Sequence, residues 1–282
     1  MSPPTIGVFD SGFGGLTVLR ALVAHMPRAR FAFLGDTARL PYGSKSRRTI
    51  ARYAVESAQF LVREQGAEFL VIACNTASAL ALDAIQDAVP VPVLGVIEPG
   101  AAAAQAASRS GDVLVLATDA TVRSHAYAAA CRAKGLRAIE KACPLLVPLV
   151  EEGWTGHKVT AEVIRIYLDE LMADAAALGH RPDTLVLGCT HYPLLRPLIE
   201  KAVPAGIGVI DSAEAAAEAA LHLINGRLSG RPIPSVETVG ENSITATEIH
   251  CFATDSVEKF ARLGSRFLGH PVGAVGLVDL GG

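Results

Sequence analysis

Seven short apolar runs, each bounded by turn residues, constrain the fold of this 282-residue chain more than any other feature. They occupy residues 5–9, 31–34, 69–73, 93–96, 113–117, 184–187 and 208–210. Runs this short, rich in Val, Ile and Leu and lacking polar alternation, read as strands buried on both faces. Helix-length stretches separate them, among them residues 46–65, 99–108, 158–178 and 213–224. Strand and helix in alternation predict βαβ units, hence an α/β fold of mainly parallel sheets flanked by helices. Half of the residues are hydrophobic and 19% are charged, a balance that suits sheets covered on both sides. At this length two domains are expected.

An internal echo suggests where the division falls. Phe69-Leu70-Val71-Ile72-Ala73-Cys74-Asn75-Thr76 resembles Thr184-Leu185-Val186-Leu187-Gly188-Cys189-Thr190-His191: a four-residue apolar run, one small residue, a cysteine, then hydrogen-bonding side chains. A weaker echo pairs residues 5–11 with 112–118, each an apolar run ending in small polar residues. Two similar halves explain both, although buried strands of α/β folds also resemble one another by chance. Residues 1–96 with 210–282 are expected to form the first domain and residues 97–209 the second. The C-terminal part, with a helix after Asp211-Ser212, a Gly/Pro-bearing stretch near 226–234 and a strand–helix pair over 249–267, completes the first.

Ligands of doubly wound sheets bind beyond the carboxyl ends of the strands, where Cys74 and Cys189 are placed. Helical pattern resumes at once, over 77–88 and 193–201, so each thiol lies near a helix start whose free N–H groups favour thiolate. One such cysteine is more often a buried structural residue; two in matching contexts point to chemistry. Cys131, Cys143 and Cys251 lack that context. His191, two residues beyond Cys189, can hold or relay the thiol's proton. Cys-x-His is also half a zinc site, but no second pair has ligand spacing, and no metal is expected.

Asp10-Ser11-Gly12-Phe13-Gly14-Gly15 follows the first strand with a carboxylate and a turn permissive of close approach. It fits neither the dinucleotide fingerprint nor a P-loop. The polar loop over 35–46 can bring donors to the same edge, or merely connect, with Ser46 capping the next helix. Glu98-Pro99-Gly100 and Glu151-Glu152-Gly153 read as acidic turns.

Several classes are disfavoured. A formal net charge of −3 without a basic stripe gives no nucleic-acid footprint. No apolar stretch approaches the ~20 residues of a membrane span. The N-terminal residues lack a secretory pattern and the five cysteines are odd in number and scattered, so a reducing cytoplasm is expected. None of the six lysines sits at a clear strand end, which argues against a pyridoxal Schiff base.

Together these strings resemble the aspartate/glutamate racemase superfamily, and within it the glutamate racemases. The resemblance is carried by residues 7–16, Gly35-Asp36-Thr37 with Pro41-Tyr42-Gly43, residues 73–78, residues 95–100, Gly188-Cys189-Thr190-His191-Tyr192-Pro193 and Asp211-Ser212-Ala213. It implies two α/β domains facing each other across a cleft that holds the active site, and interconversion of L- and D-glutamate without pyridoxal phosphate, metal or other cofactor. It further implies D-glutamate for bacterial peptidoglycan and cell shape, and possible homodimers. Cys74 would act on the D-enantiomer and Cys189 on the L-enantiomer, Asp10 assisting the first, His191 and Glu151 the second. Asp10, Ser11, Tyr42, Gly43, Asn75, Thr76, Thr190 and His191 would bind substrate, with Thr118 and Thr121 from the second half. The alternatives are a related racemase for aspartate or a hydantoin, and a hydrolase with one Cys–His nucleophile.

Overall fold

The computed structural model describes residues 3–227 and 247–281. Two sheets, parallel throughout, organise them. The first contains β1 (Thr5–Asp10), β2 (Arg30–Gly35), β3 (Phe69–Ile72), β4 (Val93–Gly95), β9 (Glu248–Ala253) and β10 (Val275–Leu277), in the order β10-β9-β2-β1-β3-β4. The second contains β5 (Asp112–Ala117), β6 (Arg137–Ala142), β7 (Thr184–Gly188) and β8 (Gly208–Asp211), in the order β6-β5-β7-β8. Taken from each half's first strand, β2-β1-β3-β4 and β6-β5-β7-β8 are the same winding. The strands of the stronger sequence echo, β3 and β7, therefore hold equivalent places, as do β1 and β5.

All seven apolar runs are strands. β3 and β7 are buried at every residue, as unbroken apolar runs require in covered parallel sheets. The run at 208–210 becomes β8, which pairs with β7 and carries the second sheet through Asp211. Two strands escape a hydrophobic scan. β6 mixes Arg137, Glu140 and Lys141 with apolar residues, as an edge strand only partly covered allows. β10 is a three-residue edge.

Crossover helices link the parallel strands. α1 (Leu16–His25), α2 (Arg47–Arg63), α3 (Asn75–Leu80) and α4 (Leu82–Ala88) serve the first sheet. α5 (Ile97–Ala107) leads into the second, served by α6 (Asp119–Ser124), α7 (Ala126–Ala133), α8 (Leu146–Glu151), α9 (Lys158–Ala177) and α10 (Arg196–Ala202). α11 (Ser212–Arg227) returns the chain to the first half. Ser46 caps α2, its hydroxyl accepting from Thr49 N. The single helix expected over 77–88 breaks at Ala81, and the one over 193–201 begins as a 3₁₀ turn, Tyr192–Leu195, before α10. The Gly/Pro-bearing stretch lies outside the described residues from 228 onward.

The C-terminal segment joins the first sheet: β9 pairs with β2, Phe31 opposite Ile249 and Gly35 opposite Ala253. α12 (Val257–Leu268) buries Phe260, Leu263, Gly264, Phe267 and Leu268, the i, i+3, i+4, i+7, i+8 stripe of an amphipathic helix. α11 packs on both α1 and α5, so one apolar core runs from Ile6 and Phe33 through to Leu116 and Leu187 and binds the halves together. Among the described residues, no helix is long and apolar enough to cross a membrane.

Candidate active site

The carboxyl ends of β1 and β3 assemble one cluster. Asp10 is the last residue of β1, and Phe9 pairs with Ile72 two residues before Cys74, so Asp10 and Cys74 leave the sheet side by side. Asp10 is buried; its Oδ2 accepts from Gly12 N at 2.9 Å, while Oδ1 has no hydrogen-bond partner. Gly15 has to be glycine here, because a Cβ would lie 2.5 Å from Asp10 Cβ. Burial raises the Asp10 carboxyl above its usual range, against the opposing pull of the His191 charge and of the Gly12, Gly15 and Ser11 N–H groups. Cys74 caps α3: its Sγ accepts from Ala77 N at 3.4 Å and donates to Ser11 Oγ at 3.3 Å.

Cys189 leaves β7 in the equivalent position, followed by the 3₁₀ turn rather than a regular helix. His191 Nδ1 lies 4.0 Å from Cys189 Sγ, and its Nε2 lies 3.2 Å from Glu151 Oε1 at the end of α8. The thiol and imidazole are buried and the carboxylate is half-buried, and the ring of Phe267 meets the imidazole edge-on, with centroids 5.0 Å apart. Of the Glu151–Glu152 pair, the first reaches His191 and the second is exposed.

The two clusters face one site. Thr17 Oγ1, in the first half, donates to Thr190 O at 3.1 Å in the second, and a Cβ on Gly14 would collide with Thr190 and His191. Each cluster senses the other electrostatically, His191 acting on Asp10, and Cys74 with Asp10 acting on Cys189. Hydroxyls complete the rim. Thr76 Oγ1 lies 2.9 Å from Thr118 Oγ1 and 3.3 Å from Thr121 Oγ1, again across the halves. Tyr42 is buried, its hydroxyl donating to Asp36 Oδ2 at 2.5 Å, and Gly43 sits where a Cβ would touch Thr118 at 3.5 Å.

Helix-end placement favours the thiolates, and burial works against it. Burial pushes the Cys74 thiol up to about 11, Asp10 adding to the rise and the Ser11 and Ala77 bonds opposing it. Burial raises Cys189 further still, with the His191 N–H opposing and the Cys74 and Asp10 charges reinforcing it. Desolvation is the largest influence on both sulfurs, ahead of the helix-end donors.

The residues named from the resemblance as catalytic or substrate-binding lie in this region, Glu98 pairs instead with Lys134, and two more residues join the cluster. Tyr127, in α7, donates its hydroxyl to Asn75 Oδ1 at 2.7 Å. Nothing local in its alanine-rich helix marks it out. Phe267 shows only as one position of an apolar stripe. Asn75 Nδ2 is buried without a partner, a cost of ~1–3 kcal/mol that an anionic ligand can recover. Asn75, Thr76, Thr118 and Thr121 thus form a neutral cluster of hydrogen-bonding side chains, while Asp10 and Glu151 supply negative charge beside Cys74 and His191. Among the described residues, no cluster of three His, Cys, Asp or Glu could hold a metal ion.

Two buried thiols at equivalent strand ends, one beside Asp10 and Ser11 and the other beside His191, are the equipment of an acid–base enzyme. The comparisons give the family. Residues 6–220 match Asp/Glu/Hydantoin racemase, and the chain belongs to that family. A glutamate racemase of Koribacter versatilis is 52% identical, over 99% of this chain and 98% of the relative. Among solved structures, a Bacillus anthracis glutamate racemase superposes with a TM-score of 0.86 at 32% identity, covering 99% of both chains. A Francisella tularensis glutamate racemase in complex with D-glutamate gives 0.84 at 32% identity, again over 99% of each.

Proposed function

We propose that this chain interconverts L- and D-glutamate by moving the α-proton between two thiols on opposite faces of Cα. The observation that carries the reading is the matched pair of buried cysteines, at equivalent strand ends and near enough for Cys74 to act electrostatically on Cys189. Cys74 serves the D-enantiomer and Cys189 the L-enantiomer. For D-glutamate, Cys74 first yields its proton to Asp10, whose raised pKa makes it a better acceptor than an exposed carboxylate. The thiolate then takes the α-proton, the C–H electron pair moves into the carboxylate as an enediolate, and the Cys189 thiol protonates the opposite face. His191, backed by Glu151, returns a proton to Cys189. The L-enantiomer runs the same steps in reverse, with His191 as acceptor.

The α-hydrogen is a very weak acid, so three effects share the barrier. Holding base and carbon in contact is worth up to ~7–11 kcal/mol in ideal cases. Each donor aimed at the growing carboxylate charge adds ~10²–10³ in rate. Burial strengthens both, and the substrate ammonium beside Asp10 and Glu151 lowers the cost of ionising a thiol. Ser11, Tyr42, Gly43, Asn75, Thr76 and Thr190, with Thr118 and Thr121 from the second half, bind the rest of the substrate.

The halves built on the two sheets act as domains that enclose it. D-glutamate made this way feeds peptidoglycan precursors in the cytoplasm, and the working assembly is a homodimer. Circular dichroism of each enantiomer of glutamate, with no added cofactor, tests the reading. Slow turnover of glutamate beside rapid turnover of aspartate refutes it.

A further inference from the structure

We infer that Tyr127 is a positioning residue for this reaction: by donating to Asn75 Oδ1 it locks the Asn75 carboxamide so that Nδ2 is the donor offered to the substrate carboxylate. The inference rests on the racemase reading and concerns how its site is held in register. A carboxamide presents an acceptor on one side and two donors on the other, and nothing in its shape decides which faces a ligand. A hydroxyl bond to the oxygen decides it. The bond here is 2.7 Å, buried, and joins the half carrying Cys189 to the residue directly after Cys74. Nδ2 is left as a buried donor pair without a partner, next to Thr76 and its threonine neighbours.

Tyr127 is itself held firmly. It is fully buried, and its ring lies against Gly188 and Gly100, where an added Cβ would come within 2.9 Å and 3.3 Å. Gly188 immediately precedes Cys189. Ser212 stands beside the phenol with its own hydroxyl committed to Leu187 O at 3.1 Å. One side chain therefore reads the position of the strand end that carries Cys189 and sets the amide beside Cys74. Burial raises the phenol's pKa, so it remains an O–H donor wherever the enzyme works.

Tyr127→Phe, Asn75→Ala and the double variant, assayed for kcat/KM on glutamate across pH with circular dichroism as a fold control, test this. Tyr127→Phe should lower kcat/KM by about tenfold or more without moving the pH profile, since neither partner titrates in that range. Asn75→Ala should lower it by more, and adding Tyr127→Phe to Asn75→Ala should cost less than about twofold. A full Tyr127→Phe loss in the Asn75→Ala background, or a single variant equal to the native enzyme, overturns the inference. If Tyr127→Phe does not fold, Asn75→Asp decides. Its first oxygen still satisfies Tyr127 and its second cannot donate, so KM must rise at least about tenfold, and an unchanged KM overturns the inference. A native protein that fails to racemise glutamate refutes the parent reading instead.

Discussion

Cys74 and Cys189 leave corresponding strands of two sheets wound in the same order, yet their proton partners differ. Beside Cys74 stand a serine hydroxyl and the half-unpartnered carboxylate of Asp10, consecutive residues where β1 runs into a glycine turn. Beside Cys189 stands an imidazole backed by Glu151, drawn from a separate helix and braced by Phe267 from the C-terminal segment. The fold supplies the symmetry that inversion at carbon needs, and local sequence supplies two unlike ways of loading a proton on sulfur. Equivalent position does not require an equivalent partner.

The largest effects should come from removing either sulfur. Cys74→Ala and Cys189→Ala should each lower kcat/KM for racemisation by ~10³ or more with native circular dichroism retained. Cys74→Ala with near-normal turnover would break the comparison and leave a Cys189–His191 nucleophile as the better description. Next in size, Asp10→Asn and His191→Asn should each lower kcat by ~10²–10³. A neutral Asp10→Asn would show that the first thiol needs no partner.

Smaller still, Glu151→Gln should cost about tenfold, acting only by orienting and charging His191, while the exposed Glu152→Gln stays within about twofold. The contrast between these neighbours sharpens the Cys189 side of the comparison.

The mildest effect is on stability. Cys74 ionises at about 11 in the fold against an ordinary thiol value of 9.0. Above pH 9 the unfolded chain releases this proton while the folded chain keeps it, so stability is full below pH 9 and falls as pH rises toward 11. The slope is about 1.4 kcal/mol per pH unit for each such thiol. Thermal melts from pH 8 to 11 should show the decline, and Cys74→Ser should make it shallower.

Much of this architecture is legible in the chain because buried parallel strands announce themselves as unbroken apolar runs, and all seven of those runs are strands. β6 is hidden by its charged residues Arg137, Glu140 and Lys141, and β10 by its brevity. The site residues on strand ends were visible for the same reason the strands were. Tyr127 and Phe267 were not, since their roles come from contacts between elements far apart in sequence, Tyr127 with Asn75 and Phe267 with His191. The desolvation of the thiols is not legible in sequence, because helix starts are local while desolvation depends on everything packed around the sulfur.

Solvent exchange at Cα bears most directly on the two-thiol scheme. Each enantiomer of glutamate is incubated separately in deuterated water and stopped early, and product and recovered substrate are analysed for label. Product carrying one deuterium at Cα beside substrate still carrying protium is the predicted result, because the delivering thiol is charged from solvent while the abstracting thiol holds the substrate's own proton. Substrate that gains deuterium as fast as product, or product that keeps the original protium, would contradict it.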